Sequence, residues 1–234
     1  FVEAERLRDE ELRGLPVVVG GAGERGVVAS ASYEARALGV RSAMPMVTAR
    51  RLCRDLIVLP GDHAYYRQVS KAVFEVFRET TPRVEGLSID EAFLDVSGLR
   101  RHFPSAFEVA EHVRRRIRVE LGLPSSAGVA SVKFIAKMAS GAAKPDGIMV
   151  VTAADQLRFL HGRPARDLWG VGEATFAKLD RFGVETIGDI AALPERSLAR
   201  ALGPSLGNHL HHLSWGRDDR AVEPEGEAKS ISVE

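Results

Sequence analysis

Ser88-Ile89-Asp90-Glu91-Ala92-Phe93-Leu94 sets two adjacent carboxylates inside an otherwise apolar stretch. The flanking Ser88-Ile89 and Ala92-Phe93-Leu94 have the composition of a half-buried hairpin. Successive side chains on a regular strand point to opposite faces, so Asp90 and Glu91 can share a cation only at a strand end or a bulge. Burying a carboxylate without a partner is costly, which calls for a metal, a base or water beside it. Mg2+ prefers six oxygen ligands, so a metal here needs at least one further oxygen from elsewhere. A solvated Asp-Glu turn is the common alternative, and the dipeptide alone does not separate the two.

Around this hairpin, which spans Val84 to Val96, the periodicity predicts a helix over Ala64–Thr80 with Val69, Val73, Val76 and Phe77 as its apolar face. A second helix over about 107–121 carries Val109, Val113, Ile117 and Leu121 at four-residue spacing. Its Arg114-Arg115-Arg116 and Arg118 read as a solvated face rather than a binding patch. A strand over Ser126–Ala130, a helix over Lys133–Ala139 and a strand over Gly147–Val151 follow. Residues 64–151 therefore run helix, two strands, helix, strand, helix, strand. One strand ahead of residue 1 would complete a ferredoxin-like sheet with helices on one face.

Upstream lie a charged helix over Glu3–Leu12 and short strands over Pro16–Gly21 and Val27–Ser32. A helix over Tyr33–Leu38 is stopped by Gly39, and another has Pro45 in its first turn and runs to about Cys53. A strand covers Ile57–Pro60. From about residue 154 strand signals vanish. Short helices alternate with the turns Gly170-Val171-Gly172, Phe182-Gly183-Val184 and Gly203-Pro204-Ser205-Leu206-Gly207. Residues 223–234 read as a linker whose last residues, Lys229 to Glu234, turn toward strand composition.

The 234 residues suit one large domain or two to three small ones, and 45% hydrophobic with 27% charged residues is ordinary globular composition. No run of about 18 apolar residues predicts a membrane span. The single cysteine, Cys53, excludes an internal disulfide framework and a cysteine-cluster zinc site, and fits a reducing cytoplasm. A formal net charge of zero argues mildly against nucleic acid. An acid–base hydrolase built on Asp90-Glu91 is disfavoured, because adjacent residues rarely flank a scissile bond at the separation required.

Six stretches in order carry a resemblance: Leu12 to Gly21, Ala31-Ser32-Tyr33-Glu34-Ala35-Arg36, Gly39 to Pro45, Leu87 to Ala92, Ala143-Lys144-Pro145-Asp146-Gly147, and Leu168-Trp169-Gly170-Val171-Gly172. Together they resemble the Y-family translesion DNA polymerases of the DinB type, over essentially all of residues 1–234. The resemblance implies an α+β right hand: a ferredoxin-like palm over 1–6 and 66–153, small fingers over 7–65, and an all-helical helix-hairpin-helix thumb over 154–222. It implies template-directed, error-prone synthesis past damaged bases with two Mg2+ ions.

Asp90, bridging both metals, and Glu91, on the metal at the primer terminus, resemble two of the family's three carboxylates; the third lies ahead of Phe1. Ser30, Tyr33, Arg36 and Lys144 resemble its triphosphate contacts, Phe1 its steric gate against a ribose 2′-hydroxyl, and Gly170, Val171 and Gly172 its DNA-backbone contact. Primer–template DNA, a dNTP and a sliding clamp are the implied partners, with a monomer acting on DNA. The family's little finger and clamp motif would follow Glu234, so the chain reads as truncated at both ends, the fragment itself inactive. A non-catalytic DNA-binding homologue is the alternative.

Overall fold

The computed structural model describes residues 1–23 and 25–224. The strand composition at Lys229–Glu234 lies outside them. The chain forms two compact units. The first comprises Phe1–Glu79, Leu87–Glu91 and Arg116–Pro124; the second comprises Thr80–Gly86, Ala92–Arg115 and the chain from Ser125 on.

The first unit opens with α1 (Val2–Arg8), which is shorter than the charged stretch suggests. Asp9 is extended, and its side chain accepts from the Glu11 N–H, so residues Glu10–Leu12 form a 3-10 turn instead of continuing the helix. A three-stranded sheet follows in the order β2-β1-β3, made of β1 (Val17–Gly20), β2 (Val28–Ala31) and β3 (Ile57–Leu59). β1 is antiparallel to β2 and parallel to β3, with Val18 opposite both Ala31 and Val58. Val17, Val18 and Val19 are buried, as an apolar run in a central strand requires.

Between β2 and β3 lie α2 (Tyr33–Ala37) and α3 (Met46–Leu52). Pro45 precedes α3 as its N-cap rather than entering the first turn, because its ψ of 136° keeps it extended. The long α4 (His63–Thr80) buries Tyr66, Phe74 and Val76 most deeply, whereas Val69, Val73 and Phe77 are only half-buried. The aromatic Tyr66 and Phe74 thus share the buried stripe with Val76.

The elements after α4 appear in the expected order. β4 (Val84–Ser88) and β5 (Glu91–Leu94) form the hairpin, α5 (Ala106–Leu121) follows, and β6 (Ala127–Val129), α6 (Lys133–Ala142) and β7 (Ile148–Val150) complete the run. β6 and β7 are parallel, and the β4–β5 ladder is separate from theirs among the described residues. α6 lies so close on β6 that a Cβ on Gly128 would come 2.0 Å from the Ala136 carbonyl oxygen.

The rest of the second unit is helical: α7 (Gln156–His161), α8 (Glu173–Asp180), α9 (Ile187–Ala192), α10 (Glu195–Leu202) and α11 (Pro204–Ser214). One apolar cluster joins α6 to these helices through Phe134, Ile135, Leu160, Leu179, Ile190, Leu198 and Leu210. No helix of the described residues is long and apolar enough to cross a membrane.

Candidate active site

Asp90 sits in the two-residue turn between β4 and β5, and Glu91 opens β5. This is the strand-end geometry that frees adjacent carboxylates from strict alternation. Three contacts hold the turn. The Ser88 hydroxyl donates to Asp90 Oδ1 at 2.7 Å. The Ser70 hydroxyl, on α4, donates to the Ile89 carbonyl at 2.5 Å. The Ile89 side chain packs with Phe1 and Val69 on the cluster of Val2, Val17, Val19 and Tyr66. Ile89 therefore anchors the turn while its neighbour Asp90 stays exposed.

Phe1 stacks on Tyr66 with ring centroids 4.5 Å apart and meets His63 edge-on at 5.8 Å. The Tyr66 hydroxyl donates to Glu5 Oε1 at 2.5 Å; burial and that carboxylate push the phenol up to about 12, so it remains a neutral donor. Asp90 and Arg36 both lie within electrostatic reach of the Phe1 backbone nitrogen.

Tyr33 and Arg36 share the outer face of α2, and the Arg36 guanidinium carbon lies 5.9 Å from the Tyr33 ring centroid. The Arg36 Nε donates to the Ala31 carbonyl at 2.9 Å, which leaves the guanidinium's remaining donors on the exposed side. Ser32 is the N-cap: its hydroxyl accepts from the Ala35 N–H at 3.1 Å and the Val17 N–H at 3.0 Å and donates to the Leu15 carbonyl. Ser30 is half-buried on β2. An open cleft of about 360 Å³, lined by Val19, Gly20, Val27, Ala29, Pro60 and His63 among others, lies in the same unit.

Phe1, Ser30, Tyr33, Arg36, Asp90 and Glu91 all belong to the first unit; Lys144 and Gly170–Gly172 belong to the second. Lys144 is exposed in the turn between α6 and β7. Gly170 has φ +98°, a conformation that favours glycine. A Cβ on Gly172 would meet nothing within 4 Å, and Gly172 caps α8, whose first-turn N–H groups have no intrahelical partner. Val171 differs from its neighbours: its side chain is in the apolar core and its N–H donates to the Leu168 carbonyl at 2.9 Å. Its part is to fix the turn between the two glycines. The turn at Gly203, with φ +92°, makes a second helical hairpin in which a Cβ on Gly207 would fall 2.5 Å from Leu198 and Ala199 backbone.

Asp90 and Glu91 offer hard oxygen donors suited to a divalent cation, and Ser88 orients one of those oxygens. No group of three or more His, Cys, Asp or Glu side chains is placed to hold a metal among the described residues. The pair therefore fits as part of a ligand set and needs oxygens from a substrate, water or a further carboxylate to complete it.

The motif stretches give no role to Ser32, Tyr66, Ser70 or Ser88. Tyr66 and Ser70 stand four residues apart on α4, and a hydroxyl on the half-apolar side of a long helix is the signal that marks Ser70.

The chain matches the impB/mucB/samB family over residues 1–141 and the thumb domain of DNA polymerase-iota over residues 166–218. It is 49% identical over 234 residues to a DNA polymerase IV of Desulfatibacillum aliphaticivorans and 45% identical to a DNA polymerase IV 2 of Mesorhizobium japonicum. All of the chain aligns in both cases, spanning 59% and 55% of those proteins' lengths. The crystal structure of DinB from Sulfolobus solfataricus superposes with a TM-score of 0.88 at 27% identity, covering 96% of this chain and 66% of that one. An insertion ternary complex of Dbh DNA polymerase gives 0.87 at 27% identity, covering 95% and 66%.

Proposed function

This chain belongs to the impB/mucB/samB family, the DinB-type Y-family polymerases, and from that premise we propose that it performs template-directed, error-prone DNA synthesis past damaged bases. The reaction transfers a nucleotide from a dNTP to a primer 3′-hydroxyl. The observation that carries the proposal is the Asp90-Glu91 turn, anchored through Ile89 in the same small cluster as Phe1. Residues 1–6 and 66–153 act as palm, 7–65 as fingers and 154–222 as thumb.

Asp90 and Glu91 would hold the catalytic Mg2+ ions, together with oxygens from the substrate, water or a further carboxylate. When bound, the metal supplies charge neutralisation on the triphosphate and activation of the attacking hydroxyl. The chain's own residues position the substrates. The Arg36 fork grips phosphate oxygens together with the Tyr33 and Ser30 hydroxyls of the same unit, and the Lys144 ammonium, carried by the other unit, is a further phosphate contact. Phe1, backed by Tyr66, excludes a ribose 2′-hydroxyl by its bulk. The small apolar floor of Gly20, Val27 and Ala29 accepts the base pair being formed, and its openness suits a distorted template base. Gly170, Gly172 and the first turn of α8 contact the DNA backbone without reading sequence. Primer–template DNA and a dNTP are the partners, with a sliding clamp as a further one and one copy of the protein per primer terminus in the cytoplasm.

Single-nucleotide extension of a primer–template by the intact protein tests this. Asp90→Ala and Glu91→Ala are each expected to lower the rate by about 10³-fold or more, the scale of losing a metal ligand. DNA affinity is expected to stay within about threefold, since phosphate contacts set it. Normal extension by either variant would refute the site. Tight DNA binding by a wild-type protein that extends nothing would make the chain a DNA-binding homologue instead.

A further inference from the structure

Four arginines crowd the second half of α5, and their composition gives no reason to tell them apart. The structure does. Arg115 and Arg118 are exposed, while Arg116 reaches Glu120 and Glu79 in the first unit at 2.5 and 2.7 Å. Arg114 is different again. Its side chain is only 19% exposed and is turned onto backbone. Nε donates to the Ser125 carbonyl at 2.6 Å. Nη2 donates to the Asp146 carbonyl at 2.6 Å and to Asp146 Oδ1 at 2.8 Å. The same Asp146 oxygen accepts from the Ser125 N–H at 3.3 Å. Asp146 has φ +50°, a left-handed conformation that aspartate tolerates better than most residues.

These contacts converge on one object, the turn Lys144-Pro145-Asp146-Gly147. The Lys144 N–H donates to the Gly141 carbonyl at 3.3 Å, fixing the turn's start to the end of α6. The Gly147 carbonyl accepts from the Ala127 N–H at 3.0 Å, fixing its end to β6. Arg114 fixes the middle from a third element, α5. The Lys144 side chain is exposed, so where its ammonium can reach is set by this backbone.

We infer that Arg114 is a positioning residue for nucleotide binding: its guanidinium holds the Lys144–Asp146 turn so that the Lys144 ammonium is presented to the triphosphate. The inference rests on the polymerase reading of Lys144. A lysine on a four-carbon stem loses much rotamer freedom when it binds, and a loose turn beneath it would add backbone freedom to that loss. Arg114 removes the second contribution before the nucleotide arrives.

The test is steady-state incorporation by the intact protein with each of the four dNTPs. Arg114→Met is expected to raise the dNTP KM about tenfold, the weight of one charge-assisted contact, with kcat changed less than about threefold. The rise should be equal for all four bases, because the contact is to phosphate. Arg114→Lys should recover part of it, and Asp146→Asn, which keeps the carbonyl and loses the ion pair, should show a smaller rise. Lys144→Ala should raise KM further, and adding Arg114→Met to it should cost nothing more. An unchanged KM in Arg114→Met beside a raised one in Lys144→Ala overturns the inference, and so does additivity in the double variant. An unchanged KM in Lys144→Ala overturns the polymerase reading of that lysine instead. If Arg114→Met fails to fold by circular dichroism, Arg114→Lys and Asp146→Asn carry the same comparison.

Discussion

Phe1 lies flat against Tyr66, and Tyr66 is held by Glu5, so the ring at residue 1 has a rigid backing. Phe1→Ala should therefore admit ribonucleotides at least about tenfold better while leaving dNTP incorporation active, as removing bulk from an excluding wall does. Primer extension with matched ribo- and deoxynucleotides measures it. Glu34 offers a pH-dependent counterpart. Burial raises its carboxyl, but its own N–H, the Arg6 guanidinium at 2.9 Å and the Ser32 hydroxyl outweigh that and hold it below 4.5. A depressed folded value means the stabilisation is present above the ordinary carboxylate range and lost as pH falls through the folded value. Glu34→Gln should flatten the acid limb of the urea midpoint as pH falls below the ordinary carboxylate range. The strand-end placement of the Asp-Glu pair was legible at this scale, and Tyr33, Arg36 and Lys144, which stand in motif stretches, are exposed. Arg114 was not legible, because Arg114-Arg115-Arg116 has one composition and three fates, decided by what α5 happens to face. Val171 was legible as part of a motif yet is a core residue with its N–H already used.

The order of elements from α4 to β7 follows directly from periodicity, since each switch between a two-residue and a three-to-four-residue repeat is unambiguous there. The boundaries that moved have local causes: Asp9 caps its own turn, Pro45 stays extended, and the aromatic Tyr66 and Phe74 share the buried stripe of α4 with Val76 while Val69 and Val73 are only half-buried. Register and closeness had no sequence signal. Gly128 reads as an ordinary strand glycine until α6 is seen 2.0 Å from where its Cβ would be. Gly128→Val should cost about 3 kcal/mol by chemical denaturation, because backbone rather than a movable side chain stands in the way. Arg6→Met should cost a similar amount, about 3 kcal/mol, since it removes the buried guanidinium's ion pair with Glu34 and its bonds to the Leu12 and Leu15 carbonyls.

Across the whole chain, the described residues end on a strap. Arg220 is clasped by Asp218 at 2.7 and 2.9 Å and lies 4.6 Å over Trp169. Lys133 reaches the Ala221 carbonyl at 2.9 Å, and the Glu223 N–H donates to Glu85 at 2.7 Å. Glu85, like Glu34, is a carboxylate that burial would raise but that Lys133 and the Glu223 N–H hold low. Acid therefore acts on both compact units through separate residues. Glu85→Gln should speed proteolytic cutting within 218–223 without altering hydrogen exchange in 1–37. The position of Arg220 has an optical consequence. The chain has two tryptophans, Trp169 and Trp215. With Trp215→Phe in place, emission would come from an indole whose face is covered by a guanidinium, with the Lys137 ammonium 5.9 Å from its ring centre. The colour and brightness of that single emitter would then report, in real time and without a label, whether residues 218–223 are seated or lifted.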